Sequence, residues 1–212
     1  MMDGNARWAQ ARGLPVLAGH RQGAKVLKQT VKDAVRLGIK ELTVYAFSTE
    51  NWQRPRDEVE GLMEMFAELI DSETPELDEE GVRMRFIGRR DEVSARLQER
   101  MTWAEGETAA NTRMQLFVAF NYGGRAEILD AAAKFEGGSE EDFQRLLYAP
   151  EMSDPDFLIR TSGEIRTSNF LLWQCAYSEL VFTETLWPDF SEDDLRAALE
   201  EYEARGRRFG AR

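Results

Sequence analysis

Residues 39–48 read IKELTVYAFS, a run rich in β-branched and aromatic side chains with charge only near its start. This composition predicts a strand that is buried on both faces, as strands of parallel sheets are. Helices are predicted on either side of it. Apolar residues at the helical period predict one over 21–37, and Pro55 opens another that Pro75 should bend or interrupt.

The alternation of strand and helix continues along the chain. Further strands are predicted at 82–88, 114–120 and 156–160, and further helices at 91–109, 125–136 and 191–205. Such alternation indicates an α/β fold with a mostly parallel central sheet flanked by helices. Ligands of such folds bind beyond the carboxyl ends of the strands, so the loops that follow the strands are the candidate functional segments. With 42% apolar residues, the 212 residues suffice for one domain over 1–212.

Composition excludes several classes of protein. The chain has 27 Lys and Arg against 39 Asp and Glu, a net charge of −12, so no nucleic-acid partner is expected. Its one cysteine, Cys175, excludes an intramolecular disulfide and favours a reducing compartment, so a cytoplasmic location is expected. No secretory signal and no stretch long enough to span a bilayer are recognised. A single histidine excludes a zinc site built from histidines, and neither GxSxG nor GxxxxGK[ST] occurs.

Two groups of basic residues stand out against this acidic background. Residues 1–28 hold five Lys or Arg and a single acid, Asp3, while the loop 160–168, RTSGEIRTS, combines two arginines with hydroxyls and a glycine. Guanidinium groups bind phosphate oxygens bidentately, and glycine turns add backbone donors. The alternative is that these arginines are solvated surface charges or partners of the surplus carboxylates.

Single polar residues near these groups allow both functional and structural interpretations. Asp3, with a distant acid such as Glu179, would suffice for a Mg²⁺ ion that also binds substrate phosphates, although a helix N-cap would also explain Asp3. His20 either donates to phosphate and shuttles a proton, or caps and packs a helix. In the loop after the first strand, Asn51 and Trp52 suit a polar site, but turn and packing roles would also explain them.

A large apolar interior is predicted beside these polar loops. It comprises Ala46, Phe47, Met63, Phe66, Leu69, Phe117, Val118 and Phe120. Periodicity alone does not distinguish a filled core from one that leaves a tunnel.

Six blocks of sequence together carry a family resemblance. They are MDGNARWA at 2–9, GHRQGAK at 19–25, YAFSTENWQRP at 45–55, FNYGGRAEI at 120–128, IRTSGEIRTSNFLLWQ at 159–174 and SELVFTETLWPDF at 178–190. In this order they closely resemble the cis-prenyltransferases, among them the bacterial undecaprenyl diphosphate synthases. The resemblance covers essentially the whole chain.

The resemblance implies an activity and a set of partners. The expected enzyme is a Mg²⁺-dependent transferase that condenses isopentenyl diphosphate with an allylic diphosphate such as farnesyl or geranyl diphosphate. Each added unit acquires a cis double bond, and the product is a Z-polyprenyl diphosphate such as the undecaprenyl or decaprenyl lipid carrier precursor of the cell wall. A homodimer is expected, in which the segment 208–210 reaches the partner's site. A peripheral contact with the inner membrane face would release the product.

The resemblance also assigns roles by matching position. Asp3 is expected to engage the metal and the departing diphosphate, Glu179 to be the second metal-associated acid, and Asn51 to help remove the proton. The allylic site is expected to contain Gly4, Asn5, Ala6, Arg7, Trp8 and His20. The rest of the substrate site is expected to contain Ser48, Thr49, Glu50, Trp52 and Arg54. The isopentenyl diphosphate site is expected to contain Arg160, Arg166, Thr167 and Ser168.

Three departures from the family pattern bear on these expectations. The family begins with a buried strand that runs into MDGN, whereas only two residues precede Asp3 here, so the N-terminal strand is expected to be truncated. Val16 lies where the family often has a phosphate-binding arginine, so binding of the allylic diphosphate should depend more on Arg7. Ala6 stands where the family often has glycine, so the backbone at this position must adopt angles that alanine tolerates.

Other functions remain as alternatives. Bulky Phe117 and Phe120 in the expected tunnel wall would favour a short-chain cis-farnesyl diphosphate synthase. A non-catalytic partner subunit of the same fold would lose the acid and arginines that this chain retains. A nucleotide- or phosphosugar-binding α/β enzyme would explain the fold class but not the six blocks. A trans-prenyltransferase would be all-helical with DDxxD motifs, and none occurs here.

Overall fold

The computed structural model describes residues 1–205 as an α/β fold. Its helices are α1 (Asn5–Gln10), α2 (Val16–Arg36), α3 (Arg56–Glu79), α4 (Ala95–Glu107), α5 (Gly124–Ala132), α6 (Glu140–Gln144) and α7 (Glu192–Ala204). Its strands are β1 (Glu41–Ser48), β2 (Val82–Ile87), β3 (Met114–Tyr122), β4 (Phe157–Arg160) and β5 (Glu179–Phe182). Two 3₁₀ turns, Thr49–Gln53 and Trp187–Asp189, complete the elements.

All strand pairs of the described chain are parallel, as the alternating pattern predicts. β3 lies between β1 and β2, with Val118 opposite both Val44 and Phe86. β4 and β5 form a separate two-stranded sheet. Parallel strands align their carboxyl ends, so the loops that follow β1 and β3 emerge at one edge, and the loop after β4 emerges at the corresponding end of the second sheet.

Alternation along β3 divides the interior into two cores. Leu116 and Phe120 face a core that includes residues of α2, α3 and α4, whereas Phe117 and Ala119 face a second core that includes Leu158 of β4. The expectation that Phe117 and Phe120 form one tunnel wall is therefore wrong, because the two side chains face different cores. The side chain of Phe117 is fully buried on the opposite face of the sheet.

Local differences from the predicted elements have physical causes. α2 begins at Val16, five residues earlier than predicted, directly after Pro15 in its N-cap position. α3 continues through Pro75 without interruption, because buried residues on both sides, Ile70 and Leu77, hold it by packing despite the lost backbone bond. α1, α6 and β5 are not predicted, since each is only four to six residues long. Near the C-terminal end of the described residues, Ser191 and Asp194 form a capping box at the start of α7.

β1 is only half-buried, contrary to the prediction that both its faces are covered. It lies at the edge of its sheet, and a groove of about 450 Å³ separates it from β4. Met1 occupies one end of this groove. Its amine donates to the carbonyl of Ile159, and its carbonyl accepts from the backbone N–H of Thr161 at 3.3 Å, which is the bonding pattern of a parallel strand pair.

Because the groove between β1 and β4 has room for a strand, we expect that an added strand would stabilise the fold. Five valine or isoleucine residues placed before Met1 would continue its pairing beside β4. Each buried side chain contributes about 1.5–3 kcal/mol against about 1–2 kcal/mol of backbone ordering, so we expect a melting temperature higher by several degrees. Turnover should rise with it, because the added strand leads into Asp3.

The control for this extension is a Gly-Ser segment of the same length, which lengthens the chain without filling the groove. Thermal melts and turnover of the three proteins should separate the apolar extension from the other two. Equal values for all three would contradict a strand-binding groove.

Candidate functional site

A cavity of about 280 Å³ lies between α2, α3 and the face of β1, and opens where the strands end. Its wall is mainly apolar, with polar groups gathered at one end. The polar residues of that end are Asp3, Asn5, Arg7, His20, Asn51 and Arg54. Main contributors to the apolar wall are Leu27, Val31, Ala46, Phe47, Leu62, Phe66, Leu69 and Val118. Phe117 and Phe120 do not line this cavity; Phe120 instead packs behind Phe47 and Phe66.

Asp3 meets Arg160 at the polar end of the cavity, as the site expectation requires. One carboxylate oxygen lies 2.9 Å from the Arg160 guanidinium, and the other accepts the backbone N–H of Gly4 at 2.8 Å. Thr161, the residue after β4, donates its hydroxyl to the Asp3 carbonyl at 2.8 Å and accepts the Asp3 N–H at 2.9 Å. The end of β4 therefore fixes both the backbone and the carboxylate of Asp3. Asp3 is not the N-cap of α1, because that position belongs to Gly4.

Two glycines allow the loop that follows Asp3 to pack closely. Gly4 has φ +107°, and a Cβ there would meet Leu186, so only glycine fits without strain. Gly23 of α2 lets the Asn5 side chain approach the helix backbone, at a point where a Cβ would collide with it. Asn5 Oδ1 is buried with no hydrogen-bond partner among the described residues. Ala6 lies within α1, so its replacement of glycine is accommodated by helical backbone angles.

Arg7 joins the two basic groups through the loop after β4. Its guanidinium donates to the Ser162 carbonyl at 3.1 Å and to the Ser162 hydroxyl at 2.5 Å, and lies 3.3 Å from Glu164. Arg166 pairs with the other oxygen of Glu164. Glu164 thus bridges an arginine of each group, a role that sequence reasoning missed. Its position between two arginines in RTSGEIR was the available signal.

Arg160 also organises the loop that it precedes. It is 3% exposed, and it donates to the Ser168 hydroxyl at 2.6 Å and to the Arg166 carbonyl. Ser162 and Ser168 have positive φ values of 76° and 45°, so the loop holds non-glycine residues in a strained conformation. Thr167 lies in the same loop, where its carbonyl accepts from the Phe170 N–H. The predicted isopentenyl diphosphate residues therefore do come together.

His20 of α2 is a neutral group at the polar end of the cavity. Burial, and next the nearby Arg54 guanidinium, lower its pKa to about 4, while Glu58 acts in the opposite direction. Its Nε2 is buried and has no hydrogen-bond partner within residues 1–205. Arg54 in turn lies 2.9 Å from Glu58. A neutral imidazole with a free nitrogen can form a hydrogen bond with a ligand without adding charge.

The loop after β1 contributes Asn51 and Arg54 to the cavity and several contacts that hold the loops together. Asn51 lines the cavity, and its Oδ1 accepts the backbone N–H of Ser48 at 3.0 Å in a capping box. Glu50 accepts from Asn169 at 2.8 Å, which links this loop to the one after β4, and Thr49 lies close to Gly123. These contacts place three loops against one another.

Two tryptophans of the expected site lie outside the cavity lining. The Trp52 ring packs edge-on against Phe47, and its N–H donates to the Asn121 side chain at 2.7 Å, which is the packing alternative. Trp8 donates to Asp189 at 2.7 Å on the outer side of α1, away from the cavity lining. Both residues support the site from behind its wall.

Glu179 is not brought to Asp3 within this chain. It lies at the start of β5, opposite Phe157, whereas Asp3 meets the end of β4 at Arg160, three residues and about 10 Å further along the strand. Glu179 instead lies 2.9 Å from Arg205. The two acids therefore do not form a common metal site within the described chain. The expected partner-site segment 208–210 lies outside the described residues.

The carboxylate of Asp3 suits a magnesium ion. It is partly exposed, and Mg²⁺ is commonly bound by one or two carboxylates together with substrate phosphates and water. Residues 1–205 contain no cluster of three or more His, Cys, Asp or Glu that could hold a metal by themselves. The donor set therefore fits a metal that arrives with a phosphorylated ligand rather than a metal held by the protein alone.

Comparisons with known proteins agree with this arrangement. The family model described as putative undecaprenyl diphosphate synthase matches residues 1–210. This chain belongs to the cis-prenyltransferase family. An isoprenyl transferase of Thermotoga maritima is 51% identical over 99% of this chain and 94% of its own length. An isoprenyl transferase of Bacillus subtilis is also 51% identical, over 99% of this chain and 85% of its own.

Solved structures show that this family fold extends over nearly the whole chain. Lavandulyl diphosphate synthase from Lavandula x intermedia, in complex with dimethylallyl diphosphate, superposes with a TM-score of 0.93 at 36% identity, covering 98% of this chain and 95% of that one. A probable undecaprenyl diphosphate synthase from Campylobacter jejuni has a TM-score of 0.83 at 32% identity, with 90% and 92% covered. The chain is therefore an enzyme of the prenyl-transferring class. None of the helices within residues 1–205 is both long and apolar enough to cross a membrane.

The lowered pKa of His20 predicts a pH dependence of stability. The unfolded chain binds a proton at His20 near pH 6.5, whereas the folded chain does so only near pH 4. The free energy of unfolding is therefore unaffected by this group above pH 6.5. As the pH falls from 6.5 toward 4, protonation of His20 in the unfolded chain lowers the free energy of unfolding by about 3 kcal/mol. Denaturant unfolding of the wild type and His20→Gln should show a difference that grows over this window. A pH-independent difference would show that His20 keeps its ordinary pKa.

Proposed function

We propose that this prenyltransferase condenses isopentenyl diphosphate with an allylic diphosphate, such as farnesyl or geranyl diphosphate, to form a Z-polyprenyl diphosphate. The observation that carries this proposal is the meeting of Asp3, Arg7 and Arg160 at the mouth of a mainly apolar cavity. The cations can bind phosphate oxygens, while the cavity suits a hydrocarbon chain. The relative that was solved with dimethylallyl diphosphate supports an allylic diphosphate as one substrate.

Two diphosphates need two adjoining sets of donors, because their charges repel strongly at short range. Arg7, with the amides of the Gly4 turn, is suited to the allylic diphosphate. Arg166 and Ser168, in the loop after β4, are suited to isopentenyl diphosphate. Glu164 lies between Arg7 and Arg166 and pairs with both. When a diphosphate binds to either arginine, that arginine gives up its contact with Glu164 and gains phosphate oxygens, which carry more negative charge.

Ionisation of the allylic diphosphate requires stabilisation of the departing charge. The guanidinium groups of Arg7 and Arg160 are hydrogen-bond donors that are already fixed where that charge develops. Fixed donors stabilise a transition state more than donors that must first reorient. Mg²⁺ bound at Asp3 would supply further neutralisation of the departing diphosphate. Arg160 limits the freedom of the Asp3 carboxylate through their 2.9 Å contact, so the acid is oriented before substrate binds.

The carbocation-like centre that results must be kept from water. The apolar wall begins directly behind Asn5 and His20 and includes Phe47 and Leu62. Asn51 lies at the boundary, where its amide is held by the Ser48 N–H, and we assign to it a part in removing the proton after carbon–carbon bond formation. His20, being neutral, adds no positive charge next to the forming cation.

The apolar part of the cavity is proposed to hold the growing chain as a tunnel. Each buried CH₂ contributes about 0.8 kcal/mol, so a lengthening chain has ample reason to enter it. Undecaprenyl or decaprenyl diphosphate is the proposed product class. A short-chain cis-farnesyl diphosphate synthase is the second candidate. Phe117 and Phe120 no longer favour it, because neither side chain lines the cavity. A non-catalytic subunit is disfavoured by the assembled acid and arginines.

The proposed product also bears on assembly and location. Leu129 of α5 is 66% exposed, and Leu172, which packs at the start of α5, is 36% exposed. These apolar side chains support the proposal that a second copy of the chain packs on this face as a homodimer. We propose a cytoplasmic enzyme that contacts the inner membrane face peripherally, because a long polyprenyl product is a lipid. No nucleic-acid partner is proposed.

The proposed role of Asp3 predicts a specific kinetic loss. Asp3→Asn keeps an oxygen that can accept the Gly4 N–H but removes the charge, so we expect turnover to fall by about 10²–10³-fold. The melting temperature should fall as well, because the buried Arg160 loses its charged partner, so turnover is compared at a temperature well below both melting temperatures. The assay is incubation with labelled isopentenyl diphosphate, Mg²⁺ and geranyl or farnesyl diphosphate, followed by analysis of product length. Asp193→Asn, which changes an exposed acid on α7, is the matched control and should keep full activity. Unchanged turnover of Asp3→Asn would remove Asp3 from the chemistry.

A further inference from the structure

The apolar wall of the cavity contains two charged residues far from the diphosphate end. Lys28 of α2 and Glu73 of α3 both line it. Lys28 lies eight residues beyond His20 on the same helix, a rise of about 12 Å. The cavity therefore has a second polar position, separated from the first by the length of a short prenyl chain.

Lys28 and Glu73 belong to a four-residue ion-pair cluster that joins α2 to α3, which we call the polar seam. Lys28 Nζ lies 2.8 Å from Glu73 Oε2. Glu76 accepts from both Lys28 and Lys32, so the seam spans one turn of each helix. All four side chains are between 27% and 35% exposed. The seam therefore has one side toward the cavity and one toward solvent.

The neighbours of the seam along both helices are apolar and face the cavity. Leu69 and Leu77, one turn before and after Glu73 on α3, line it, as does Val31 on α2. Lys28 and Glu73 thus occupy positions at which the helical pattern would place apolar residues. Glu73 Oε2 is buried, and apart from its approach to Lys28 it has no hydrogen-bond partner among the described residues.

Packing and charge act differently on a chain that grows toward this seam. Apolar walls gain contacts as the chain advances, whereas the paired charges would lose each other or their water if a hydrocarbon end pressed between them. Partly exposed ion pairs are weak, and the side chains that form them are long and flexible. The seam therefore hinders the advance of the prenyl chain less than a packed apolar wall would, but more than an open passage would.

We propose that the polar seam sets the maximum length of the product in this enzyme. Elongation proceeds readily until the end of the prenyl chain reaches Lys28 and Glu73, and further additions require this ion pair to separate. The inference rests on the proposed function and names the specificity-determining residues of its chain-binding cavity. Lys28 and Glu73 contact the product chain, whereas Lys32 and Glu76 act by holding Lys28 in place.

The test replaces the charged pair with apolar side chains of similar length. Lys28→Met/Glu73→Met should shift the product distribution to longer chains in the labelled isopentenyl diphosphate assay. The matched control is Arg56→Met/Glu60→Met, which removes an ion pair of α3 that is 93% and 63% exposed and lies outside the cavity lining. The control should give the wild-type distribution. Equal distributions for all three proteins would overturn the proposal.

A binding measurement makes the test independent of catalysis. Linear n-alkyl diphosphates of increasing length should bind the wild type with an affinity gain of about fourfold per methylene, up to the length that reaches the seam, and with no gain beyond it. In Lys28→Met/Glu73→Met the gain should continue past that length. A limit at the same length in both proteins, measured by calorimetry, would overturn the proposal even if both proteins were inactive.

These two readouts separate the failure of this inference from the failure of the proposed function. If the wild type forms no elongated product but the binding limit moves in the variant, the seam limits the length of chain that the cavity holds, and the proposed reaction is wrong. If products form and neither their length nor the binding limit changes, the reaction stands and the seam is wrong. Should the double variant fail to fold, Glu73→Gln, which keeps the shape and removes the charge, is expected to give a smaller shift in the same direction.

Discussion

The contact between Asp3 and Arg160 is the interaction on which the site depends. It joins the first residues of the chain to the end of β4, more than 150 positions later. Arg160 is almost completely buried, so it needs a partner of opposite charge, and Asp3 is the acid within reach. The same arginine holds the loop that carries Ser168 and Arg166. One buried guanidinium therefore positions the acid and the hydroxyl-rich loop at the same time.

The acidic composition of the chain is compatible with an anion site because binding responds to local charge. The arginines of the site are paired with carboxylates of the chain: Arg7 and Arg166 with Glu164, and Arg54 with Glu58. These pairs keep the arginines ordered in the free protein, and partners with more charge can replace the carboxylates. The apolar wall of the cavity has two effects. It buries His20 and so lowers the pKa of that residue, and it would exclude water from a reactive cation.

Sequence reasoning predicted the parallel strands, because alternation of strands and helices is a pattern of whole elements. That Asp3 and Arg160 belong to one site was expected from the family resemblance, and the structure brings the two side chains together. It did not predict β5, since four residues carry too little periodicity. Alternation fixes that Phe117 and Phe120 face opposite sides of β3, but which side borders the cavity depends on how α2 and α3 pack. The bridging of Arg7 and Arg166 by Glu164 depends on loop conformation, which residue identities alone do not specify.

The groove between β1 and β4 has a consequence for strand pairing. Within residues 1–205, β1 and β4 each present backbone donors and acceptors to the groove with no neighbouring strand on that side, and Met1 pairs only with the end of β4. Open edges of this kind pair with any extended apolar segment, including one from an unfolding copy of the same chain. Within the described chain, this groove is therefore the place at which an extended apolar segment, from this chain or from another copy of it, would add to the sheet.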